Sequence, residues 1–159
     1  MKKELEKDVT HYLQSYGDLV FDLIHSLVPD SETGQIFFRE ILQKLKTQKK
    51  INTYHRYEKL WVMRIACETL LEQHDYFKIR SLPEQRIQLD AQPSSVKITQ
   101  FETYFQRLDL MDQMLLLLKD KLDFNYKEIS AILGIPEGSL KMRRQLTLRT
   151  LEEWLWNTK

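Results

Sequence analysis

Apolar residues recur three and four positions apart along almost the whole of this 159-residue chain. Leu5, Val9, Tyr12 and Leu13 begin the series, and Leu19, Val20, Leu23, Ile24 and Leu27 continue it. Such spacing lines one face of a helix, whereas a half-buried strand needs strict alternation, which no stretch sustains. The pattern predicts an all-α protein.

The helical series is interrupted where turn residues gather. In "VPDSET" Pro29 ends one helix, and Asp30, Ser31 or Thr33 can cap the next, whose inward face would be Ile36, Phe37, Ile41, Leu42 and Leu45. After the polar stretch "KTQKKINTYHRYEK", Leu60, Trp61, Ile65, Leu70 and Leu71 predict a third helix packed on the first two. Residues 78 to 100 hold two prolines, scattered polar residues and weak periodicity, the marks of a connector. The chain thus divides into a helical module over 1–80, a linker over 81–100 and a second module over 101–159. The apolar run "LDLMDQMLLLLKDKLDF" in the second module is too short to cross a membrane and ends in charge, so it reads as a core helix.

Composition excludes several classes of function. Lys and Arg total 24 against 23 for Asp and Glu, so any nucleic-acid role must come from local clusters rather than a global positive field. Cys67 is the single cysteine and sits in the apolar helical context "RIACETL", which fits an inert core thiol and leaves no disulfide framework or cysteine-rich zinc site. His11, His25, His55 and His74 are dispersed without metal-ligand spacing, and four glycines form no phosphate-cradling loop. No constellation for catalysis, cofactor or metal emerges. The charged N-terminus lacks the apolar core of a signal peptide, and no run approaches the ~20 residues of a membrane span, so a cytoplasmic protein is expected.

The stretch "YKEISAILGIPEGSLKMRR" carries the sharpest local signal. Tyr126, Ile129, Ile132 and Leu133 share one side of a short helix, and Gly134 follows where a left-handed residue would end it. Ile135 can plug the corner, Pro136 suits the start of the next helix, and Leu140 turns inward on it. Ser139, Lys141, Met142, Arg143, Arg144 and Gln145 then spread around the outer arc near the N-terminal end, which is the end a helix-turn-helix offers to the major groove. Lys and Arg neutralise phosphates, Arg can donate two bonds to guanine, and Gln can pair with adenine. The competing reading of the same residues is a plain αα corner with a solvated basic face.

The order of features resembles region 4 of bacterial sigma-70 family factors, above all the small extracytoplasmic-function (ECF) group. A leucine-rich helix precedes a turn of the form "EIA..LGIP.GTVK.R", matched here by Glu128, Ile129, Leu133, Gly134, Ile135, Pro136, Gly138, Ser139, Leu140, Lys141 and Arg143. The front half is similar to region 2 of the same group, with Trp61, Arg64, Ile65 and Ala66 in the segment usually written W-L-x-R-I-A. The resemblance implies a transcription initiation factor whose partners are promoter DNA and core RNA polymerase, through the β′ clamp helices and the β flap, with an anti-sigma protein as a further partner of many such factors. It implies that the first module captures the unpaired −10 strand and the second reads the −35 duplex, acting as a monomer.

Residues suited to the −10 strand lie in "KTQKKINTYHRYEKLW", where Lys49, Lys50 and Arg56 interleave with Tyr54, Tyr57 and Trp61, followed by Arg64. Cations track a single-stranded backbone while aromatic faces stack on bases; the competing reading makes Trp61 a core residue and the lysines a solvated loop. The polymerase-docking helix of the family carries a D-L-x-Q-E pattern, and the corresponding positions are Gln35, Phe38 and Arg39, without the two acids. Glu68 stands where relatives commonly have Asn, and Leu146 where many have a basic residue. These departures keep a second reading open: a sigma-like interaction protein, or a plain helix-turn-helix regulator, that no longer initiates transcription.

Overall fold

A computed structural model describes residues 2–28, 30–47, 58–73 and 96–157, and every regular element in them is helical. In chain order these are α1 (Lys2–Leu27), α2 (Ser31–Thr47), α3 (Glu58–Glu72), α4 (Val96–Arg107), α5 (Leu110–Leu116) with a π-helical turn (Leu117–Lys121) continuing it, α6 (Tyr126–Leu133) and α7 (Glu137–Asn157). The all-α architecture expected from the apolar spacing is the one observed.

Of the three candidate caps near Pro29, Asp30 serves α2. One carboxylate oxygen accepts from the Glu32 amide at 3.3 Å, and the other accepts from the Thr33 hydroxyl at 2.5 Å. Val20, Leu23, Ile24 and Leu27 of α1 then meet Phe37, Ile41 and Leu45 of α2, all buried. Gly34 lets the two backbones approach, since a Cβ there would sit 3.3 Å from the Ile24 side chain. Ile36 is not part of this inward face: its position one residue before Phe37 turns it outward, and it is 43% exposed. Leu13 on α1 is likewise exposed.

Helix α3 is apolar nearly all round, with Trp61, Val62, Met63, Ile65, Ala66, Cys67, Thr69 and Leu70 buried. A helix of that kind belongs at the centre of a fold rather than on its surface. It packs on α1 and α2 on one side and on α6 on the other. Inside, the Thr69 hydroxyl donates to the Ile65 carbonyl at 2.7 Å, so the buried oxygen is satisfied within its own helix. Burial pushes the Cys67 thiol up to about 12, with the neighbouring Glu68 charge adding to it, which keeps the thiol neutral and inert as its apolar context foretold.

The second half starts earlier than the sequence spacing indicates, because the backbone is already helical from Val96, inside the stretch assigned to the linker. The rest of that linker, 81–95, lies outside the described residues. The leucine run forms α5 and the π-helical turn, burying Leu110, Met114, Leu115, Leu116, Leu117 and Leu118. Ahead of it, the buried Gln113 amide donates to the Leu108 carbonyl at 2.8 Å and the Gln106 carbonyl at 3.3 Å, closing the corner between α4 and α5. Beyond the run, the Leu122 amide reaches back to the Leu117 carbonyl and the Phe124 amide to the Leu118 carbonyl, each at 2.8 Å. Asp123 takes a left-handed φ of 62° at this exit, a conformation that Asp tolerates better than most residues.

One buried apolar cluster runs from Tyr12 through α2, α3, α5 and α6 to Leu140 of α7, so the two halves share a core. A smaller cluster of Tyr104, Leu108, Leu116 and Leu151, with Trp154 against it, fastens α4 to α5 and α7.

Candidate nucleic-acid interface and docking groove

The corner between α6 and α7 is built from local chemistry. Asn125 caps α6 by accepting from the Glu128 amide at 2.8 Å, and the Glu128 carboxylate accepts from the Asn125 amide at 3.0 Å, a reciprocal capping box. Gly134 ends the helix at φ 72°, its amide bonded to the Ser130 carbonyl at 2.8 Å. Ile135 packs against the core, and the Pro136 carbonyl accepts from the Leu140 amide at 3.0 Å as α7 begins. Two helices thus meet across a short turn: a first seated by Ile129 and Ile132, then a second, longer one seated by Leu140, Thr147 and Leu151.

The outer arc of α7 splits into two groups. Ser139, Lys141, Met142 and Gln145 are exposed as their positions predict. Arg143 and Arg144 are half-buried and turned back onto the protein: Arg143 pairs with Asp112 of α5, and Arg144 grips Asp120 with two nitrogens at 2.6 and 3.0 Å. They sit on the flank of α7, facing α5 and the π-helical turn, rather than on its outermost face. The Asp120 carboxylate holds the Arg144 pKa above its ordinary value, burial opposes this, and Tyr126 adds a smaller upward share. Two cations expected from the sequence to face DNA thus fasten α7 to α5 and the π-helical turn.

Residues outside the predicted set join this surface. The Tyr126 ring carries the Lys141 ammonium 5.6 Å from its centroid and the Lys119 ammonium at 4.9 Å, so a lysine of the π-helical turn arrives beside α7. Arg149 and Leu146 are exposed on the same stripe of α7 as Met142. Arg149 was within reach of sequence reasoning, lying seven residues beyond Met142, whereas Lys119 depends on the π-helical register and carries no local signal.

For the −10 strand, Lys49, Lys50, Tyr54, Arg56 and Tyr57 lie outside the described residues. Trp61 is buried at 7% exposure, with its ring 5.7 Å from that of Tyr12 in an edge-on contact. Its face is taken up by the core, so it is not presented for stacking on a base; the core reading of Trp61 is the one observed. Arg64 is exposed, and its Nε donates to Glu68 at 3.0 Å one turn on. Nearby, the His11 ring and the Glu58 carboxylate pair at 2.5 Å and tie α1 to α3. Burial, and then the Glu58 charge, raise the Tyr16 hydroxyl above its usual value beside them.

Gln35, Phe38 and Arg39 come together along one wall of a groove of about 340 Å³ between α1 and α2. Ile24, Val28 and Gly34 make its floor, and Phe21 and His25 its other wall, with their rings stacked at 5.7 Å. Phe21 and His25 are one turn apart on the outer face of α1, a spacing that the sequence shows but that gains meaning only once α2 lies alongside.

Among the described residues no group of acids, histidines and cysteine is arranged to hold a metal ion, and no helix is long and apolar enough to cross a membrane. No protein-family model matches the chain, and no curated protein matches it by sequence. Among solved structures, the sigma factor RpoE from Bartonella quintana, crystallised in complex with the anti-sigma factor NepR, is similar with a TM-score of 0.63 at 19% sequence identity. The likeness covers 94% of this chain and 97% of RpoE, so the fold of a sigma factor extends over both halves.

Proposed function

We propose that this chain is a transcription initiation factor of the ECF sigma type, working in the cytoplasm with core RNA polymerase. The observation that carries the reading is the match in fold to a sigma factor over both chains nearly end to end, together with a helix-turn-helix whose reading helix exposes Ser139, Lys141, Met142 and Gln145. In this reading residues 1–80 bind polymerase and the −10 strand, 81–100 connect, and 101–159 read the −35 duplex. Arg143 and Arg144 orient the reading helix through Asp112 and Asp120. An anti-sigma protein is the natural regulator, since RpoE is bound by one.

The groove between α1 and α2 is the proposed seat for the polymerase clamp, with Phe38 and Phe21 as apolar contacts and Arg39 at the rim. Arg39 also supports the second reading. A clamp surface that meets acids in other sigma factors would meet a cation here, and like charges facing each other across an interface cost several kcal/mol. A chain with that defect would keep the scaffold and bind a different protein.

Size-exclusion chromatography of the purified chain with its host's core polymerase at moderate salt separates the two. Co-elution, followed by promoter-directed transcripts above the core-only background, is the expected result. Separate elution of a folded chain gives preference to the interaction protein.

A further inference from the structure

Helix α7 leaves apolar side chains outermost. Met142 is 65% exposed and Leu146 55%, one turn apart on the same face. Side chains spaced four apart on a helix stand about 5–6 Å from each other. The two arginines beside them are turned away to Asp112 and Asp120. What remains at the centre of the stripe is apolar, with exposed Ser139 before it, Lys141 and Gln145 alongside, and Arg149 beyond it.

Cations near each end of a short apolar pair complement a phosphate backbone on either side of a groove. They fit a protein partner less well, because Lys141, Gln145 and Arg149 crowd the two apolar side chains, and the core of a protein interface is depleted of charge. In the major groove one base edge alone offers an apolar group, the C5 methyl of thymine. Guanine and cytosine edges pressed on Met or Leu would lose hydrogen bonds to water without replacement.

We infer that Met142 and Leu146 read thymine methyl groups, so that the helix-turn-helix selects A·T pairs opposite this stripe, with Gln145 placed to pair an adjacent adenine. The inference rests on the duplex-binding reading of α7 and specifies its substrate. Arginine readout of guanine plays the smaller part, because Arg143 and Arg144 are committed to carboxylates.

The test selects duplexes from a randomised library with the full-length chain, then resynthesises the selected duplex with deoxyuridine in place of thymidine, a change that removes only the methyls. Deoxyuridine opposite the stripe should weaken binding about fourfold per methyl, the worth of one buried methylene-sized group. The double variant Met142→Ala, Leu146→Ala, which alters exposed positions only, should bind both duplexes alike. Lys141→Ala should weaken both equally and preserve their ratio. Equal binding of the two duplexes by the unmodified chain overturns methyl reading while leaving duplex binding intact. Persistence of the thymidine preference in the double variant also overturns it. If the double variant selects the same duplexes but loses association with polymerase, the stripe belongs to a protein contact and the inference falls. If the folded chain enriches no duplex at all, the proposed duplex role itself fails.

Discussion

At Gly134 the chain turns through a left-handed φ of 72°, and a Cβ placed there would meet nothing within 4 Å. The requirement for glycine is therefore one of backbone energy and not of space. Gly134→Ala should cost about 1 to 2 kcal/mol, the penalty an L-residue bears in that region. Gly134→Asn should cost less, because Asn tolerates the left-handed conformation. Equilibrium denaturation with urea checks both, and equal losses for Ala and Asn would mean that something other than φ decides. Cys67 gives a second residue-level expectation, of known sign. Burial pushes its thiol up to about 12 from an ordinary value of 9.0, so the folded state binds the proton more tightly than the unfolded chain. Stability from that burial is complete below the ordinary value and is lost as pH rises from there toward the folded one. Iodoacetamide at mildly alkaline pH should leave the folded chain unmodified and label it only once denaturant is added. Labelling without denaturant would show that the helix α3 environment opens readily.

At the scale of elements, helical spacing announced α1, α2, α3 and the leucine-rich α5, because each buries one stripe at regular intervals and apolar residues must occupy it. The corner at Gly134 was equally legible, since a left-handed turn, a proline and an inward leucine leave few other structures. What the pattern did not carry depends on partners far along the chain. Arg143 and Arg144 look like free cations on an outer arc until Asp112 and Asp120, 31 and 24 residues away, are placed beside them. Trp61 looks available for stacking until α3 is seen to be covered by α1 on one side and α6 on another. Ile36 suits an inward face by type and is turned out by its angular position next to Phe37. The capping box of α6 satisfies two amides at once, so Asn125→Ala should lower stability by about 1 kcal/mol. Combining it with Glu128→Ala should cost less than the sum of the two single changes, because each already breaks the shared box. Strict additivity in denaturation midpoints would show that the two bonds act independently.

The whole molecule raises a question of reach. In the structure α3 packs on α6, Lys59 lies 5.0 Å from the centroid of the Phe124 ring, and Lys121 bonds to Ser26 at 2.6 Å, so the two halves are joined through core and surface alike. A compact chain of this length has a radius of gyration of about 15 Å. The −10 and −35 elements are centred about 25 base pairs apart, which at ~3.4 Å per pair is on the order of 85 Å. The packed form cannot touch both at once, so a chain working as an initiation factor must part its halves. The covalent path from Gln73 to Val96 permits it, since residues fully extended at ~3.5 Å each would reach on the order of 80 Å and the breadth of each half supplies the rest. Separation would expose buried apolar surface from α3 and α6, including Ile129 and Ile132, which water alone does not favour. Polymerase would have to cover that surface or supply compensating contacts on each half. Dyes placed at Lys46 on α2 and Glu152 on α7, both exposed, should therefore show high energy transfer in the free chain and a drop when core polymerase is added. An anti-sigma protein that grips the packed form should hold the transfer high. High transfer in a polymerase complex that still initiates from a two-element promoter would contradict the reach argument and require one half to leave its DNA element unread.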